Sequence, residues 1–444
     1  MTDIQPPVDP LAKRQERSEI IAWRWVLFGM LGMVLQIPLN SVFGGMSVLF
    51  VLATAFALGR MNPLGSLVVA FRWLPVMGIG IMAVLSTIWS EAPGETFRIG
   101  SMTLVTAMIA IIMADRLSPG RFVLAVHCAY MVLMITALPT YRPGEALLGL
   151  TLSKNQLGYG AMVCLFSSAA LTLDRNQRFG IRVFGLLSAP LCVLVLALSQ
   201  AAGSLVAAGV GMVAFGFVAT MRVLSPQGRL RALVIILVIG TPMIIARPVL
   251  VEAAHTFQEQ VLHKDRTLTG RTYLWERAKP VIAARPILGH GYATFWRQGS
   301  LDAEGLWRYG LVTSRSGFNF HSEYVEVGVA LGHVGVAVLI LSMVLIALPL
   351  LVRSVLNPTI PLAFFTAFIA AVYLKASTEV GLMGAWQQGT IILYAAGLYG
   401  LRGAALVKAP GPATQLSTMQ ARQSIANGGG QDMYRRIRRS QQRL

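Results

Sequence analysis

From Ile20 to Arg402 the chain returns again and again to apolar runs of about 17 to 25 residues, the length of helix that crosses a hydrocarbon layer roughly 30 Å thick. This recurrence constrains the fold most, because a backbone inside lipid must satisfy its own polar groups. Continuous apolarity selects helices over a barrel, whose strands are short and alternate apolar with polar. The expected class is all-α, a polytopic bundle of about twelve transmembrane helices at 20–37, 42–59, 73–90, 99–114, 122–140, 156–173, 183–198, 203–221, 232–246, 322–351, 360–378 and 389–406. Composition agrees: with 55% hydrophobic and 13% charged residues and a mean hydropathy of +0.63, 444 residues cannot cover the surface of a water-soluble globule.

Lysine and arginine in the short connections set the orientation. Lys13, Arg14, Arg17, Arg60, Arg72, Arg116, Arg121, Arg175, Arg178, Arg182, Arg222, Arg229, Arg231 and Arg353 collect on one side. On the other side the short connections carry little beyond Arg98, Arg142 and Lys154. Both termini are then expected in the cytoplasm, giving a tail at 1–19, helices through 246, an external loop at 247–320, further helices over 321–406 and a basic tail at 407–444. The first apolar run follows a polar, acidic stretch and lacks a small-residue cleavage site, so it reads as a retained helix rather than a signal peptide.

The formal charge of +18 is spread over these cytoplasmic connections and concentrated in the tail, where Arg435, Arg436, Arg438, Arg439 and Arg443 follow Asn427-Gly-Gly-Gly430. Such a tail is expected to be disordered and drawn to anionic membrane lipid, at about 1 kcal/mol per basic residue near the surface. The charge does not point to nucleic acid. Cys128, Cys164 and Cys192 fall inside expected spans and read as small packing residues, not as a disulfide or metal set.

One polar island interrupts this pattern. It runs from Arg266-Thr-Leu-Thr-Gly-Arg-Thr-Tyr-Leu-Trp275 through Arg285-Pro-Ile-Leu-Gly-His-Gly291 to His321-Ser-Glu-Tyr-Val-Glu326. A membrane chain with so long a charged, aromatic-rich loop is built for chemistry or recognition there rather than for simple permeation.

The order of the motifs resembles the O-antigen ligase and polymerase superfamily of bacterial envelope glycan enzymes. Trp89-Ser90 closes the third span, and Ser153-Lys154-Asn155-Gln156-Leu157-Gly158 opens the sixth. Thr269-Gly270-Arg271-Thr272 with Trp275 begins the loop, and Arg285–Gly291 with Phe295-Trp296 continues it. His321-Ser-Glu-Tyr-Val-Glu-Val-Gly-Val-Ala-Leu-Gly332 leads into the next long span. The resemblance implies a helical bundle with a large periplasmic loop capping the site, and a polyprenyl-diphosphate-linked glycan as donor. Leu198-Ser199-Gln200 and the spacing from Phe295-Trp296 to His321 look more like exopolysaccharide repeat-unit polymerases than lipid A core ligases. There is one departure: Ala202 stands where many members carry an arginine, a candidate diphosphate ligand. Either another cation serves, or Arg271 acts with hydroxyl and amide donors.

The physical requirements point to the same residues. A departing diphosphate must be neutralised as its charge develops, and an arginine fork binds phosphate oxygens bidentately. Arg271 is the first candidate; its alternative is an ordinary pairing with Glu276 or Asp265. A base must take the acceptor hydroxyl's proton, and His321 at the membrane edge suits, unless it only caps the following helix. On a continuous helix Glu323 would lie on a different face from His321, and Glu326 about 140° away. Glu323 and Glu326 are nonetheless expected to reach substrate, together with Lys154, Asn155, Ser199, Gln200 and Gly270. Lys154 and Asn155 have the alternative of capping the sixth span.

Tyr273, Trp275, Tyr292, Phe295, Trp296, Trp307 and Tyr309 could stack on sugars, although interfacial placement is the commoner use of such residues. Lys375 and Glu379, four apart near the end of a span, should face the interior as a pair. His127, His255, His263, His290, His321 and His333 are scattered without partners at ligand spacing, so metal-independent transfer is expected and no cofactor is implied. No glycine loop cradles a nucleotide.

The expected activity is an inner-membrane, multi-pass glycosyltransferase that polymerises exopolysaccharide repeats. The alternatives are an O-antigen ligase acting on lipid A core and, from another class, a transporter or flippase of lipid-linked glycans. A transporter would usually show two comparable halves, and no internal repeat is visible. Expected partners are the lipid-linked donor, a glycan or lipid A core acceptor, membrane lipids and other polysaccharide assembly proteins.

Overall fold

A computed structural model describes residues 10–151, 153–245, 270–315 and 317–405. The expectations for 247–269, which include His255, His263, Asp265 and Arg266, lie outside the described residues, as do the whole basic tail at 407–444 and residues 1–9. Every regular element among the described residues is helical. All twelve expected spans fall on helices. By length and apolarity six helices among the described residues qualify as crossings, or up to eight if two bent pairs each count as one, short of the expected twelve.

The first bent pair is α1 (Pro10–Val34) with α2 (Gln36–Phe43), turned by 74°. Pro38 explains the break: its ring would strike the Val34 carbonyl four residues back, so the helix cannot run straight through Leu35. The second is α3 (Met46–Met61) with α4 (Pro63–Arg72), turned by 112°. There Pro63 opens α4 and the Asn62 side chain caps it, accepting from Gly65 N at 3.0 Å. Then come α5 (Gly78–Leu85), α6 (Pro93–Asp115), α7 (Pro119–Ala137), α8 (Lys154–Leu173), α9 (Phe179–Leu198), α10 (Ala202–Val223) and α11 (Pro226–Ile245). The described part of the large loop folds into α12 (Arg271–Ala284) and α13 (Leu301–Tyr309). The chain returns through α14 (Glu323–Leu356), α15 (Ile360–Lys375) and α16 (Gln388–Ala405). Met1–Gly400 forms one compact unit, and the site lies wholly within it.

α14 is not the continuous span that its apolar run suggests. Gly332 sits at φ 64°, ψ −165°, a conformation open almost only to glycine, and breaks the helix after its first two turns. The turn segment 286–291 takes up the freed backbone groups. His290 N and Gly291 N donate to the carbonyls of Val329 and Ala330, while His333 N and Val334 N donate to those of Pro286 and Ile287. Two glycines permit this approach: a Cβ on Gly332 would lie 2.4 Å from the Ile287 oxygen, and one on Gly289 2.5 Å from Ala330 backbone.

The same segment is sewn to the turn before α6. Trp89 Nε1 donates to Leu288 O, Glu91 N to His290 O, and Tyr292 N to Ser86 Oγ. Leu274, Ala278, Leu306, Phe320 and Val329 form a small second core around Phe295 and Trp296. Trp307 is buried. These aromatics therefore hold the loop together, a use distinct from both the sugar stacking and the interfacial placement considered for them; Tyr309 stays half-exposed against Tyr273, with ring centroids 4.2 Å apart.

Candidate functional site

Three distant stretches meet at one carboxylate, Glu379, in the turn that follows α15. Arg271 Nη2, from the first residue of α12, lies 2.7 Å from Glu379 Oε1. Asn155 Nδ2, from the first turn of α8, donates to the same oxygen at 3.0 Å. His321 Nδ1 lies 3.6 Å from Oε2, an ion-pair partner when protonated and longer than a hydrogen bond when neutral. Lys375, one helical turn back, instead donates its Nζ to Ser204 Oγ at 3.0 Å. The expected Lys375–Glu379 pair is thus divided between two other partners, because Glu379 N bonds Lys375 O and turns the chain away from α15.

Burial by itself would raise the Glu379 carboxyl; His321, Arg271 and Lys375 together outweigh it and hold it below its ordinary value. Glu379 is therefore a carboxylate held ionised beside an imidazole. That arrangement suits His321 to act as a proton acceptor, because the nearby charge favours its protonated form. His321 itself has φ 52°, a strained left-handed conformation for a non-glycine residue. No hydrogen bond reaches its ring among the described residues.

Beside this cluster opens a cavity of about 480 Å³. Asn155, Lys375, Glu379 and Gln388 supply polar wall, and the α1–α2 bend and α7 supply apolar wall through Met33, Ile37 and Leu133. A second chamber of about 260 Å³ lies across the 380–387 turn, next to Tyr292, Glu323 and Glu326.

Several expected residues take other places. Glu323 is buried and accepts Gly381 N at 2.7 Å and Leu382 N at 3.1 Å, so it shapes the turn that presents Glu379. Glu326 accepts Trp296 Nε1 and Phe320 N, both at 3.0 Å, and secures the approach to α14. His321 precedes that helix, so the angular argument from a continuous helix does not apply, and Ser322 rather than His321 is the N-cap. Arg271 does not pair with Glu276, which Lys279 takes at 2.6 Å.

Lys154 is exposed, beside Asn155 in the first turn of α8. Ser199 is buried and bonded to Leu196 O at 2.7 Å. Gln200, exposed at φ 51°, forms the turn into α10. Gly270 caps α12 at φ 82°, which sets the direction of Arg271.

Residues 186–340 match a family model described as O-antigen ligase, a span that holds Arg271 and His321 but not Glu379. The exopolysaccharide production protein ExoQ of Rhizobium meliloti (strain 1021) is 28% identical over 336 residues, covering 72% of this chain and 75% of that protein. Over this stretch the chain is similar to O-antigen ligase-related proteins. The carboxylate that joins the motifs lies beyond the matched span. Its signal in the sequence was an ionisable pair at the end of an apolar run, where charge is costly without a partner.

Proposed function

We propose that this chain is an inner-membrane glycosyltransferase that polymerises exopolysaccharide repeat units at the periplasmic face, from a polyprenyl-diphosphate-linked donor. The convergence of Arg271, Asn155 and His321 on Glu379, beside a cavity with one polar and one apolar wall, carries the reading. A lipid-linked glycan needs such a divided wall. The similarity to an exopolysaccharide production protein favours the polymerase version.

In the proposed step, an acceptor sugar hydroxyl attacks the anomeric carbon of the donor and gives its proton to His321. The anomeric carbon–oxygen bond to the diphosphate breaks, and polyprenyl diphosphate departs with that electron pair. Glu379 holds the imidazole and stabilises its protonated form, while Arg271 and Asn155 hold Glu379. General-base action of this kind contributes roughly 10²–10⁴ in rate. The orientation that arginine-rich short connections imply would put this cluster on the outer face, with the loop at 247–320.

A second reading is ligation of finished O-antigen to lipid A core, favoured by the family model's description. Both need the same donor half-site. Product analysis in a deletion strain, complemented with wild type or Arg271→Ala, separates them. The polymerase predicts loss of long polysaccharide and accumulation of single lipid-linked repeats, unrescued by a well-expressed Arg271→Ala protein. Long chains left on the carrier beside unmodified lipid A core would indicate the ligase. Full rescue by Arg271→Ala would remove that residue from the site, and repeats trapped on the cytoplasmic side would replace transfer with transport.

A further inference from the structure

Arg271 is the cation that the loop motif singles out, yet it does not border the 480 Å³ cavity, and its guanidinium faces Glu379 at 2.7 Å. Lys375 does border it. Lys375 ends α15, is only 9% exposed, and makes one side-chain hydrogen bond, to Ser204 Oγ. An ammonium carries three donors, so two remain for whatever enters. Among the described residues no carboxylate lies within ion-pair distance of it.

A charge so deeply buried is costly unless it is paired. Glu379 supplies only a longer-range attraction, and its nearer partners are Arg271 and Asn155. Ser204 is the third residue of α10, a helix of 22 residues, so the anchor draws Lys375 to the end of α10 where backbone N–H groups lack helical partners. The result is a positive subsite on the polar wall, facing Met33 and Ile37 on the apolar one.

We propose that Lys375 binds the phosphate oxygens of the lipid-diphosphate donor, and that Arg271 acts only by holding Glu379. The assignment rests on the glycan-transfer reading above. It answers the question that Ala202 raises, with a cation supplied from α15 instead of α10.

The test uses the full chain in phosphatidylcholine nanodiscs, titrated with geranylgeranyl diphosphate and, separately, geranylgeraniol. Wild type is expected to prefer the diphosphate. Lys375→Gln should weaken diphosphate binding by about 10- to 100-fold, the range for hydrogen bonds to a charged group, and leave the alcohol unchanged. Lys375→Arg should retain most of the preference. Ser204→Ala, a milder change that tests the same anchor, should weaken it by about three- to tenfold. Arg271→Gln should keep diphosphate binding within about threefold while transfer is lost.

Unchanged diphosphate binding in Lys375→Gln, or its loss in Arg271→Gln instead, would overturn the assignment. Displacement of the probe by phosphatidylglycerol as readily as by unlabelled diphosphate would mark a phospholipid headgroup site and also overturn it. A wild type with no preference for diphosphate over alcohol would instead sink the lipid-diphosphate reading itself.

Discussion

Two carboxylates among the described residues gather a histidine and arginine, and Glu379 is the one at the wall of the 480 Å³ cavity. Glu91 lies 2.8 Å from His290 Nδ1 and 3.4 Å from both Arg285 and Arg297. Glu379 gathers Arg271, Asn155 and His321. In the Glu91 cluster the other ring nitrogen of His290 faces Val281 O at 2.9 Å, so both nitrogens are engaged. The His321 ring is open. Glu91 fastens the loop to the turn before α6, whereas Glu379 stands at the wall of a 480 Å³ cavity. A Glu–His–Arg grouping is therefore not a site by itself; a carboxylate at the wall of a cavity, beside an imidazole that no hydrogen bond ties down, makes the difference.

The largest expected contrast is in transfer. Glu379→Gln should cut the rate by about 10²-fold or more, because it removes the charge that steadies protonated His321. Glu91→Gln should change it by less than about tenfold, through loop position alone. Polymer length on gels from complemented cells reads both, and equal losses would dissolve the distinction between site and latch.

Next in size is Gly332→Ala, which forces a side chain into a glycine-only conformation against Ile287 backbone. It should cost about 1–3 kcal/mol, seen as earlier thermal unfolding in detergent. A wild-type melting curve would show that the break in α14 does not hold the loop.

Acid should act on both clusters in the same direction. Glu91 is held below its ordinary value chiefly by the hydrogen bond from His290, and Glu379 by His321, Arg271 and Lys375 against burial. A lowered folded pKa adds stability that is complete above the unfolded value and is lost as pH falls through the folded one. Stability should thus fall below about pH 4.5, the ordinary carboxylate value. Each Gln variant should be less stable at neutral pH and show a shallower acid decline in chemical unfolding. An acid limb that neither variant alters would contradict both pairings. The smallest effect is expected of Lys154→Ala, within about ±0.5 kcal/mol in stability and well below that of Asn155→Ala in transfer.

Much of the scaffold was legible because lipid imposes simple rules. Runs of sufficient length became helices, and Arg271, His321 and Asn155 were singled out by motif and by the chemistry of the leaving group. The organising residue was not. Glu379 lies 108 residues from Arg271 and 224 from Asn155, and no local pattern reports a contact over such distances. The break at Gly332 was hidden for a different reason: apolar composition continues through it, so only the backbone angle reveals it. Glu323 and Glu326 misled because acidic residues opening a helix look equally ready for a sugar or for backbone N–H groups.

The most direct test is reconstitution of the full chain with lipid-linked repeat units, following polymer length and polyprenyl diphosphate release together for wild type, Glu379→Gln and Glu91→Gln. The account predicts lengthening with matched diphosphate release by wild type and Glu91→Gln, and neither by a folded Glu379→Gln protein. Polymerisation by Glu379→Gln at the wild-type rate would contradict it.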